Sequence, residues 1–377
     1  MAATYKTFLN NDITSTRTML HEAIPITGSI ISGTYAEEST ATSNIKTYSH
    51  GMFESVYDYP YLSSSANHIF DIVSTYSSGS ALSGTAADRS QQDKKINIYN
   101  QLGLMLVPTD ITGNIQEFDA DGNIADGGDK IKEAWMLNFS RLLVKDEIKK
   151  GSFELELGVV SAYSQTGAVF TKRLKLTDTS GSSGFKTNSP AGEYGVLYAS
   201  TSVGTTSTLN GETLGNAATA PAAGLIYYQA GIAVISGSVF NDSGDAGLLT
   251  TAVDSSKLGS TAGVTGYNFV TGSTIETTTA AIRNRIYNIQ FNNTTELNST
   301  IYFCRANHNE FNYSSNSTYL TGSKIRVKEN SFDQPVAYIT TIGLYSADNE
   351  LLAVAKLSEP VKKTPDTELT FRVRLDY

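Results

Sequence analysis

The sequence contains little of the chemistry that marks most enzymes: one cysteine, one tryptophan, four histidines and eight prolines in 377 residues. One thiol, Cys304, cannot make an internal disulfide, so the chain is expected to fold in a reducing cytoplasm without covalent staples. In Ile301-Tyr302-Phe303-Cys304 the thiol reads as a buried small hydrophobe. His21, His50, His68 and His308 lie at no metal-ligand spacing, and none joins the cysteine in a zinc pattern. Cys304 and His308 are four apart, but on a strand and the loop after it, so His308 reads as a loop polar residue rather than a base. Charged residues are only 17% of the chain and the net charge is −9. That balance gives no broad basic footprint, so nucleic acid is not an expected partner. No run is long enough to cross a bilayer, and Met1–Lys6 lacks the basic-then-apolar form of a signal peptide, so no membrane partner is expected either.

There is also no G-x-S-x-G elbow, no P-loop and no dinucleotide-binding glycine fingerprint. Asp119, Asp121 and Asn123 occupy the first three ligand positions of an EF-hand-like loop. Its sixth position, however, is Ile124 and its twelfth is Lys130, so a plain turn is expected. Glu154 and Glu156 alternate along one face of a strand, the usual sign of a solvent face. The reading is therefore no enzyme, no catalytic residue, no metal and no cofactor.

What is present favours strands. Tyr (21) is abundant, and Gly (31), Ser, Thr and Asn fill much of the rest. β-branched and aromatic residues suit pleated surfaces, while Gly, Asn and Ser suit turns. The expected fold is mainly β: antiparallel β-sandwich domains with long loops and one or two short helices. Residues 1–50 read as an N-terminal arm, in which Arg17–Ala23 could form a short helix behind the cap-like Ser15-Thr16. Residues 51–177 read as a β-rich domain with a helix at about 88–107. Asp88 or Ser90 would start that helix, Ile96, Tyr99, Leu102 and Leu106 give it one apolar face, and Pro108 ends it. Strict alternation in Phe153–Leu157 predicts a half-buried strand. Residues 178–281 read as a loop-rich β insertion holding buried strands at Tyr194–Tyr198 and within Gly224–Phe240.

Residues 282–377 read as a C-terminal antiparallel sandwich. Arg285–Phe291 and Thr300–Arg305 are expected to form a hairpin turning at Asn292-Asn293-Thr294-Thr295. Further strands are expected at Lys324–Lys328, Val336–Tyr345, Leu351–Leu357 and Glu368–Leu375. The polar, aromatic stretch Asn309–Asn316 is a candidate interface loop, with Phe311 and Tyr313 as low-entropy anchors; an edge-filling crossover is the competing reading.

Several of these stretches resemble structural proteins of tailed bacteriophages, notably large myoviruses. They are Asn309-Glu310-Phe311-Asn312-Tyr313-Ser314-Ser315-Asn316, Tyr338–Tyr345, Glu350–Pro360 and the closing Arg372-Val373-Arg374-Leu375-Asp376-Tyr377. A further one runs from Phe139-Ser140-Arg141 through Lys145–Phe153. Together they cover about a third of the chain. The resemblance implies a virion component of the tail, baseplate or neck, made in the host cytoplasm. It implies other phage structural proteins and copies of itself as partners in a symmetric assembly, and no catalytic residues. A receptor- or carbohydrate-binding phage protein and a polysaccharide hydrolase are the competing classes.

Overall fold

The computed structural model describes residues 5–31, 43–80, 83, 89–124, 128–159, 172–203, 208–209, 212–213, 221–240, 274–283, 285–314, 316–326, 328, 330 and 332–377. The fold is mainly β. Among the described residues, fourteen strands join in one sheet: β1 Ile13–Thr27, β2 Ile45–Thr47, β3 Glu54–Tyr57, β4 His68–Tyr76, β5 Glu133–Phe139, β6 Glu147–Ile148, β7 Glu154–Val159, β8 Lys172–Thr177, β9 Lys186–Ser189, β10 Gly192–Val203, β11 Ala222–Tyr227, β12 Ile232–Ser236, β13 Ile286–Ala306 and β16 Leu369–Asp376. Between the last two, β14 Ala337–Tyr345 and β15 Leu351–Lys363 pair with each other as a separate two-stranded ribbon. Two helices of more than a turn are described, α1 Arg89–Leu106 and α2 Ile275–Arg283.

The sheet runs β1-β13-β7-β8-β10-β11-β12-β5-β4-β3-β2, with β9 beside β10 and with β16 and β6 beside β13. The chain divides into two compact units, a larger one of residues 20–295 and a smaller one of residues 1–19 with 296–377. The sequence-derived boundaries at 50, 177 and 281 all fall inside the larger unit.

Both faces of the larger unit's sheet are buried. On β5, Trp135, Leu137 and Phe139 enter one core cluster, while Ala134 and Met136 enter the other. This is why Ala134–Phe139 reads as a nearly continuous apolar run without alternation. Helix α1 covers the second cluster through Ile98, Tyr99 and Leu106. Helix α2 covers the first: the Trp135 indole donates to the Thr278 carbonyl at 3.2 Å. The sheet is also rolled. Phe139 on β5 and Phe291 on β13 lie six strand steps apart in the sheet, yet their ring centroids are 5.1 Å apart. In a flat sheet six steps would separate them by about 29 Å. The layers that face each other across this core thus belong to one curled sheet rather than to two stacked sheets.

Several sequence expectations change here. Arg17–Ala23 is not helical but lies within β1, where Ile13, Thr14, Thr16 and Thr18 favour extended backbone and β13 supplies the ladder. The expected hairpin at 285–305 is a single 21-residue strand, β13. Its turn-like centre stays extended because neighbours take up its polar groups. Asn293 donates to the Leu143 carbonyl at 2.9 Å and accepts from the Glu22 N–H at 3.2 Å, and the Thr294 hydroxyl lies 3.2 Å from His21 Nδ1. Residues 178–281 supply β10, β11 and β12, the middle of the sheet. The expected strands at 194–198 and 224–240, and the helix ending before Pro108, are present. Asp88 and most of the long expected loops, including 241–273, lie outside the described residues.

Candidate interaction surface

The smaller unit concentrates unusual exposure. Its ribbon pairs Tyr345 with Leu351, Leu344 with Ala353 and Ile342 with Ala355, slips between Ile339 and Thr341, and closes with Ala337 opposite Lys363. Ala337, Leu344 and Lys363 are buried, but Tyr338, Tyr345, Leu351, Leu352 (69% exposed) and Val354 are not. A two-stranded ribbon is marginal by itself, and a long edge lined with exposed apolar side chains is a template for association. The Tyr345 ring folds back over Gly343, where a Cβ would come within 2.8 Å of the ring carbon Cε2.

The candidate anchors Phe311 and Tyr313 are 43% and 51% exposed, on the loop that follows β13. Phe311 holds φ at +53°, a left-handed conformation that is costly for a bulky residue and persists only where surroundings enforce it. The enforcing group is Lys363. Its buried ammonium donates to the His308 carbonyl at 3.2 Å, Asn312 Oδ1 at 2.8 Å and the Thr364 carbonyl at 2.8 Å. Asn312 in turn donates to the His308 carbonyl at 2.8 Å, and the Asn307 N–H donates to Glu310 Oε2 at 3.0 Å. Three carbonyl-type acceptors satisfy the three donors of one ammonium, so the loop is tied at His308 and Asn312 to the base of the ribbon, with Phe311 between the two ties. Anchors immobilised in advance lose less entropy when a partner covers them.

Replacing Lys363 by methionine keeps the stem and removes all three hydrogen bonds. The expected outcome is amide exchange at least tenfold faster in residues 307–314, with a stability loss of about 2 kcal/mol. Loop exchange equal to that of the native chain would refute the tether.

The other sequence candidates find structural roles. Asp119 accepts from the N–H groups of Asp121 and Asn123, each at 3.1 Å, and its other oxygen takes the Lys130 ammonium. The charge that a calcium ion would carry is thus supplied by the lysine at the loop's twelfth position. Burial, and secondarily the Asp12 carboxylate, push the Cys304 thiol up, away from thiolate. His308 Nδ1 lies 3.4 Å from Glu368 Oε1, with both side chains exposed. Glu156 pairs with Arg173 at 3.1 Å and Glu154 with Lys175 at 2.9 Å across the β7–β8 ladder. Among the described residues, no group of three His, Cys, Asp or Glu is placed to hold a metal, and no helix is long and apolar enough to cross a membrane.

Sequence reasoning found the loop and missed its tether, since a lysine inside a Lys-Lys-Thr-Pro run reads as solvent-facing. The one signal is alternation: Lys363 shares its side of β15 with the half-buried Val361. No known family model, curated protein or solved structure matches this chain.

Proposed function

We propose that this chain is a structural subunit of a tailed-phage particle, placed in the tail or baseplate and working through protein–protein interfaces. The observation that carries the reading is the β14–β15 ribbon, whose Leu351, Leu352, Val354, Tyr338 and Tyr345 remain exposed. Such a surface suits a protein whose final state is an assembly, where obligate interfaces often bury more than about 2,000 Å² and neighbours supply part of the stability. The tethered Phe311–Tyr313 loop supports the same reading, as does the resemblance in residues 309–316, 338–345, 350–360 and 372–377. A neck or collar position fits these features equally.

The exposed rings of Phe311 and Tyr313 also favour a second reading, a carbohydrate- or receptor-binding phage protein, in which they stack on sugar faces.

Immunogold labelling of particles from a phage lysate, with an antibody to this chain, tests the first reading. Label at a discrete level of the tail or neck is expected. Protein found only free in the lysate, with unlabelled particles, would sink it, and glycan-array binding lost on Phe311→Ala would then establish the second.

A further inference from the structure

Residues Tyr5 to Asp12 lie along the smaller unit as a strap held at four points. The Tyr5 ring meets the Tyr345 ring edge-on, with centroids 4.9 Å apart. Lys6 Nζ lies 2.5 Å from Glu310 Oε2, on the loop that carries Phe311. The Phe8 ring lies 5.4 Å from the Tyr302 ring. The Asp12 carboxylate accepts from Arg305 Nε at 2.6 Å and from the Leu9 N–H at 3.1 Å.

These grips are graded. Asp12 is buried and doubly hydrogen-bonded, whereas Tyr5, Lys6 and Leu9 are exposed. Residues 5–9 belong to no strand or helix; the Leu9 carbonyl accepts from the Asp12 N–H at 2.9 Å, and the contacts described for Tyr5, Lys6 and Phe8 are made by side chains. An ion pair as exposed as Lys6–Glu310 contributes little stability, and two surface ring pairs add modestly to it. The strap therefore opens easily about Asp12.

We propose that in an assembly of copies residues Tyr5–Leu9 exchange. The strap of one copy docks on Tyr302, Glu310 and Tyr345 of a second copy, while Asp12 stays on its own Arg305 as the pivot. This rests on the reading of the chain as a multi-copy structural subunit. The occupant is a second copy because complementarity is already on display: a cation for Glu310 and a ring for each of Tyr302 and Tyr345. Each interaction broken when the strap opens re-forms on the second copy, which is why swapping one element between identical chains costs little. Charge also permits close approach. The smaller unit carries eleven Lys and Arg against eleven Asp and Glu, so the chain's net −9 resides wholly in the larger unit. Tyr5 stands seven residues from the pivot, so the strap reaches at most about 24 Å when fully extended, and neighbours packed within that distance face a high effective concentration of the strap.

The test uses the full chain in a Cys304→Ser background. Isotopically heavy Lys6→Cys chains are mixed with light Glu310→Cys chains and bridged with a short bis-maleimide. Heavy–light bridged pairs are expected to increase with protein concentration, while the double variant in one chain reports the closed form. Absence of heavy–light pairs at every concentration would overturn the proposal. Deleting Met1–Leu9 is expected to move the self-association midpoint at least tenfold higher in concentration; an unchanged midpoint also overturns it, even with particles labelled. Heavy–light pairs with unlabelled particles would overturn the virion reading and leave the exchange standing.

Discussion

Asp178→Ala is expected to lower the unfolding free energy by about 4 kcal/mol, since it orphans three buried donors at about 1–3 kcal/mol each, partly offset by relief of a buried charge. Asp178 follows β8 and knots the ends of three strands in the larger unit. Its Oδ2 accepts from the Gly151 N–H at 2.7 Å and the Tyr228 hydroxyl at 3.1 Å, and its Oδ1 accepts from the Phe153 N–H at 2.9 Å. Residues 151 and 153 lead into β7, and Tyr228 closes β11. The knot leaves no room for a side chain at position 181, where a Cβ would press on the Tyr228 hydroxyl and on Asp178 itself. Asp178→Asn keeps the shape but aims an amide N–H at a donor, so about half the loss is expected.

The same residue predicts a pH dependence. Burial pushes the Asp178 carboxyl up to about 6 from 3.8, against the opposing pull of its three hydrogen bonds. The folded state thus binds this proton more tightly than the unfolded chain. The resulting stability is fully present below about pH 4 and lost as pH rises through about 6, with an upper bound of about 3 kcal/mol. Burial also raises Glu54 and Glu133, so the informative quantity is the difference between native and Asp178→Asn unfolding curves at pH 4.5 and pH 7.5. Parallel curves, or a loss below about 1 kcal/mol for the alanine variant, would show that the knot is not what holds these strand ends.

Arg283→Met is expected to cost about 3–5 kcal/mol at pH 7.5, because it strands a buried carboxylate. Arg283 Nε donates to Glu54 Oε2 at 3.2 Å and Nη1 donates to the Ile31 carbonyl at 3.0 Å, joining α2, β3 and the end of the turn after β1. Burial holds the Glu54 carboxyl above its usual range, and Arg283 pulls it back down in opposition. Without the guanidinium the carboxyl rises further, and folding must then neutralise it. The penalty should therefore shrink as pH falls toward 5, where the proton comes at lower cost. The double variant Arg283→Met, Glu54→Gln should recover most of the loss. Denaturant unfolding at both pH values reads all three outcomes, and a pH-independent loss would mean that lost packing around α2, not a stranded charge, is the cause.

Both effects arise in the larger unit, whereas the ribbon and the 307–314 loop belong to the smaller one. They provide stability controls for tests of the interaction surface: a variant that weakens association without moving these unfolding curves acts on the surface.

Local pattern determined much of this protein. The mainly β class follows from Tyr, Thr and Gly abundance. Alternation marks Phe153–Leu157, apolar runs mark β10, β11 and β12, and three-to-four spacing ended by Pro108 marks α1. The strands of the ribbon are equally local, and the turn at Asp348-Asn349 that joins β14 to β15 suits asparagine, since Asn349 tolerates its left-handed φ of +65°. Tertiary structure alone decided the rest. Asn292–Thr295 stays extended because Leu143, Glu22 and His21 consume its polar groups, and those partners lie far away in sequence. Residues 178–281 look peripheral by composition, yet the strands described within them, β10, β11 and β12, form the centre of the sheet, because strand order depends on closing a rolled core around Phe139 and Phe291. Lys363 is buried because three acceptors converge on it; alternation along β15 hints at its side, but nothing local encodes those partners. Phe311 and Tyr313 could be named from sequence as candidate anchors, with an edge-filling crossover as the competing reading, but what ties their loop at His308 and Asn312 is a lysine about fifty residues further along the chain.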